Sequence, residues 1–111
     1  MSLVPTSKLM NSSERRQKIL EEAWVGDAVL SLYARRRILR ETGEVDAARF
    51  ERMTSNHFLA TKGEPSEVEA EIGRLYLNEG LEPAFSWIEQ HLMPLFERQE
   101  EKRMRGFTPR R

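Results

Sequence analysis

The chain has 111 residues, 39% hydrophobic and 32% charged, with eighteen basic side chains balancing eighteen acidic ones and no cysteine. That length gives room for one domain, and its composition is that of a folded helical protein rather than a disordered one. Without cysteine there are no disulfides or thiolate metal sites, His57 and His91 lack a metal-ligand spacing, and the charge balance excludes the overall positive field of a strongly basic nucleic-acid-binding domain.

The start, Met1-Ser2-Leu3-Val4-Pro5, lacks the basic and apolar regions of a signal peptide. No apolar run approaches the roughly 18 residues that a membrane span needs, so a cytoplasmic protein with no membrane association is expected. Residues 1–11 read as a flexible lead-in. Asn11 and Glu14 have the spacing of a capping box, and apolar residues recur from Ile19 to Leu39 without a proline, which predicts one long helix ending at Gly43. A second helix is expected over Val45 to Ala60, stopping in the breaker-rich Lys62-Gly63-Glu64-Pro65. A third is expected from Ser66 to Asn78, ending at Gly80. The fourth carries Pro83 in its first turn and continues through Trp87, Ile88 and Leu92 until Pro94 kinks or breaks it. Residues 12–103 therefore form one helical domain and residues 104–111 a basic tail. No strand-like alternation and no internal repeat is evident, so the fold class is all-α.

Two acidic residues stand out. From Ala23 to Ala34 apolar side chains cover every direction of the helical wheel, the pattern of a helix buried on all sides, and Asp27 is the only charge. A carboxylate there is either hydrogen-bonded in the core or holds a cation. Gly26, beside it, costs about 1 kcal/mol in a helix interior, a cost usually offset by close approach of another backbone. On the third helix Val68, Ile72, Leu75 and Tyr76 form the apolar stripe, and Glu69 sits at its border, able to project inward. Glu69 equally fits a capping box with Ser66. If the two carboxylates meet at a helix crossing, they suit Mg²⁺, which binds through oxygens and water and can then engage a phosphate.

Trp24-Val25-Gly26-Asp27-Ala28-Val29-Leu30 resembles the signature helix of the ribonuclease III family. Glu69-Ala70-Glu71-Ile72-Gly73-Arg74-Leu75-Tyr76-Leu77-Asn78-Glu79-Gly80-Leu81-Glu82 resembles the family's second acidic helix, with a weaker echo in Ser55-Asn56-His57-Phe58-Leu59-Ala60. The resemblance implies a helical endonuclease domain, shortened in the middle and closest to the minimal Mini-III type without a double-stranded-RNA-binding domain. It also implies an intimate homodimer that cleaves double-stranded RNA with Mg²⁺, Mn²⁺ being able to substitute. Asp27 and Glu69 would be the catalytic, metal-binding carboxylates, and Trp24 would pack across the dimer interface. Arg35, Arg36 and Arg37, or the basic tail, would then attract RNA phosphates. The family's two further glutamates before the aspartate are replaced by Leu20 and Ala23, and an aspartate of its second helix by Ser66. Glu21 and Glu22 lie about 120–140° around the helix from Asp27 and do not substitute for them. The alternative is a catalytically inactive RNA-binding or dimeric assembly module of the same fold.

Overall fold

The computed structural model describes residues 11–106, and these form six helices and no strand. The expected lead-in, apart from Asn11, and the last five residues of the expected tail lie outside them. Helix α1 spans Ser12–Thr42 and opens on the predicted capping box: Asn11 accepts from the Glu14 amide, and Glu14 accepts from the Asn11 amide. It closes at Gly43, whose φ of 78° lies in the left-handed region where a side chain would be strained.

The single second helix of the sequence reading is in fact two. Helix α2, Ala47–Thr54, starts two residues later than expected, where Asp46 accepts from the Arg49 amide. Ser55 then adopts an extended backbone and caps the short α3, Asn56–Leu59, through the Phe58 amide. A residue whose hydroxyl can serve as a cap breaks the helix there without leaving an amide unpaired. Helix α4 spans Pro65–Glu79 and its cap is Glu64, not Ser66: the Glu64 carboxylate accepts from the Glu67 amide. Glu69 is thereby released from the capping role. Helix α5, Leu81–His91, holds Pro83 in its first turn as predicted. Pro94 falls in the first turn of a new helix, α6, Met93–Gly106, which continues past Arg103 into the residues expected to be tail.

Helices α1 and α4 run side by side in the same direction. Arg16 and Leu20 line a groove with Ser66 and Glu67, Gly26 meets Gly73 further along, and Tyr33 meets Phe85 just after α4 has ended. Helices α2 and α3 carry the chain back between them. The core is built from Leu30, Ala34, Met53, Phe58, Leu59, Ile72, Ile88, Leu92 and Phe96, with Phe58 and Phe96 edge to face. Arg52 closes this end through a two-point pairing with Glu100.

Burial departs from the apolar patterns on two helices. Helix α1 is not covered on all sides, because Leu20, Trp24, Ala28, Leu32 and Leu39 form an exposed stripe on the side away from α4, and Trp24 is 81% exposed. The described helices are too few to enclose it, as expected of a chain with so short a middle. Tyr76, assigned to the buried stripe of α4, is 40% exposed.

Candidate active site

The α1–α4 crossing is set by two glycines. A Cβ on Gly26 would stand 1.8 Å from the Glu69 carbonyl oxygen, and one on Gly73 would stand 1.9 Å from that of Glu22. Main chain touches main chain, so neither position admits any side chain. Contact at Gly26 was legible in the sequence; its counterpart Gly73 was not singled out.

Around these glycines the helices carry similar hexapeptides, Glu22-Ala23-Trp24-Val25-Gly26-Asp27 and Glu69-Ala70-Glu71-Ile72-Gly73-Arg74, a short internal likeness that the sequence reading did not register. Because the helices are parallel and meet at equivalent glycines, the flanking charges pair crosswise, one pair on each side of the crossing. On one side Arg74 donates to Glu22 at 3.0 Å and to Glu71 at 3.0 Å. Glu22 is 6% exposed and is the one buried charged residue among the described residues, so this pairing removes an otherwise costly charge. On the other side the equivalent residues are Glu69 and Asp27, two carboxyl groups within hydrogen-bonding reach of each other. The Glu69 carboxyl is pushed up to about 7, first by partial burial, then by its hydrogen bond to Asp27 and the charge of Asp27, with a smaller push from Glu64.

Of the expected site residues, the structure therefore brings Asp27 and Glu69 together. Asp27 is not buried as the apolar wheel suggested; it is exposed at the edge of the open face of α1. Glu69 is half-buried. Among the described residues no group of three or more His, Asp or Glu is gathered for a metal, so a cation here would be held by two carboxylates and otherwise by water or ligand. That donor set fits Mg²⁺, which commonly takes one or two carboxylates and keeps its remaining positions for water and phosphate oxygens.

The expected RNA-contacting arginines are not brought to this site. Arg36 lies nine residues along α1 from Asp27, half a turn around the helix, and stacks on Phe85. Arg35 stacks on Phe50. Arg37 is tied to Tyr33, Glu41 and Glu97. Within this cluster Tyr33 also donates to Glu89, and burial together with that bond pushes its hydroxyl up to about 12. Trp24 stands on the open stripe of α1, away from α4.

Compared with protein-family models, with characterised proteins and with solved structures, the chain matches none.

Proposed function

We propose that the protein is a Mg²⁺-dependent endoribonuclease acting on double-stranded RNA as a homodimer, with Asp27 and Glu69 as its metal-holding carboxylates. The observation that carries this reading is the charge asymmetry of the crossing: where one side pairs an acid with an arginine, the equivalent side sets acid against acid at a partly open surface. Structural economy would favour an acid–base pair on both sides, so a carboxylate pair with no arginine beside it among the described residues supports a site that takes a cation. When bound, the metal supplies a water polarised for attack and neutralises charge developing on the phosphate. The protein's own part is to hold the two carboxylates at a separation fixed by glycine contact, with Glu69 against the apolar interior and Asp27 toward the substrate side.

The open stripe of α1 supports the homodimer, since a run of large apolar side chains centred on Trp24 is the kind of surface that a second copy would cover. The set of only two carboxylates favours a second reading, an inactive RNA-binding or assembly module of the same fold. One experiment separates them. A labelled RNA duplex is incubated with the protein in Mg²⁺ and in EDTA, beside Asp27→Asn and Glu69→Ala. Metal-dependent cutting lost in both variants is the expected result; duplex binding without cutting, equal in wild type and variants, would overturn the nuclease in favour of the module.

A further inference from the structure

If Asp27 and Glu69 hold a metal against a phosphodiester, neighbouring phosphates of the same strand need contacts along the flank of the α1–α4 pair on which those carboxylates lie. The angular step of 100° per residue fixes which cations reach that flank. Arg36 and Lys18 are each nine residues from Asp27 and point the opposite way, and Arg37 is spent on Tyr33, Glu41 and Glu97. Arg16 is eleven residues before Asp27, which returns it to within about 20° of the same direction, roughly 16 Å toward the N-terminal end of the helix. It is exposed, and among the described residues it makes no ion pair. Arg16 lines a groove of about 440 Å³ along the α1–α4 seam, with Arg15 and Leu20 beside it on α1 and Glu64, Ser66 and Glu67 on the α4 side; the carboxylates lie beyond it, next to Glu64, which is near enough to push the Glu69 carboxyl up.

We propose, resting on the nuclease reading above, that Arg16 is a phosphate-binding residue of the RNA site, seating the substrate strand in this groove a few nucleotides from the scissile bond. Glu64 and Glu67 border the groove and offer a phosphate nothing, and Arg15, which also lines it, points about 120° away from Asp27 around the helix, so substituting Arg16 removes a single contact on the carboxylate flank. A single contact has a quantitative signature. Each phosphate neutralised by a protein cation contributes about 0.9 to the slope of log affinity against log salt.

The test is binding of a fluorescent RNA duplex in EDTA, where metal-dependent cutting is suppressed, over about 50–200 mM salt, for wild type, Arg16→Gln and Lys18→Gln. Lys18→Gln removes the same charge from the opposite side of the same helix. Arg16→Gln is expected to bind more weakly and to lose about 0.9 from the slope, so that its deficit against wild type narrows about 3.5-fold across that range. Lys18→Gln is expected to keep the wild-type slope. A slope unchanged in Arg16→Gln, or lowered equally in Lys18→Gln, overturns the assignment of Arg16. If metal-dependent cutting by the wild type persists in that case, the nuclease reading survives without it. A wild type that neither binds nor cuts the duplex overturns both.

Discussion

Replacing Glu69 by Gln should make the protein more stable while removing one of the two carboxylates proposed to hold a metal. The Glu69 carboxyl is raised from 4.5 to about 7 in the folded protein, so between those pH values the folded chain holds a proton that the unfolded chain has released. Stability therefore falls as pH rises through this window, and the full cost is present above about 7. A shift of that size is worth about 3 kcal/mol if fully realised, and screening at a site open to water on the Asp27 side reduces it to about 1 kcal/mol. The glutamine amide would keep the shape and the hydrogen bond to Asp27 without the charge. In urea unfolding with EDTA, Glu69→Gln should exceed wild type by about 1 kcal/mol at pH 8, or about 4 °C in thermal melts, and should match it near pH 4.5. Added Mg²⁺ should then stabilise the wild type and leave the variant unchanged. A variant less stable than wild type at pH 8, or a difference that does not vary with pH, would refute the claim that the two carboxylates repel.

Two further outcomes follow from the packing. Gly26→Ala places a methyl group 1.8 Å from the Glu69 carbonyl oxygen, and separating the helices should cost at least about 2 kcal/mol, read as a lowered melting temperature; a melting temperature equal to wild type would show that the crossing is looser than described. Trp24→Glu, on the open stripe of α1, should convert a sedimenting dimer into a folded monomer with unchanged helical content. A wild type that is monomeric at micromolar concentration would remove the stripe as a self-association surface.

Much of this fold follows from local rules that a single sequence displays. The capping box at Asn11 and Glu14, the stop at Gly43 and the break at Pro94 are set by residues adjacent to the structure they control, and each lies where the chain indicates. The division of α2 from α3 at Ser55 was less visible, because the polar run Thr54-Ser55-Asn56-His57 reads equally well as one solvent-facing turn of a continuous helix. At the site, Gly26 beside a lone carboxylate was enough to suggest a helix crossing there. Glu69 could not be separated from a capping role until the start of α4 was known, because moving the cap by two residues, from Ser66 to Glu64, puts Glu67 rather than Glu69 at the capping position. Arg74 and Glu22 were missed for a different reason. Each is ordinary on its own helix, and only the parallel alignment of two distant segments makes them a pair. The open face of α1 was legible in part, since a chain this short in the middle cannot surround a helix that is apolar on every side, but the wheel alone did not say which residues would stand uncovered.

The glycine contact has a consequence for how this protein can change. The spacing of its two carboxylates is gauged by main-chain atoms, which every substitution elsewhere leaves in place so long as the helices stay seated. Core replacements such as Ile88→Val or Leu92→Met should therefore lower the fraction of folded molecules without altering what each folded molecule can do. Thermal tolerance and the geometry of the carboxylate pair are separately adjustable in such a design, and a lineage could drift widely through its interior while that pair stayed in place.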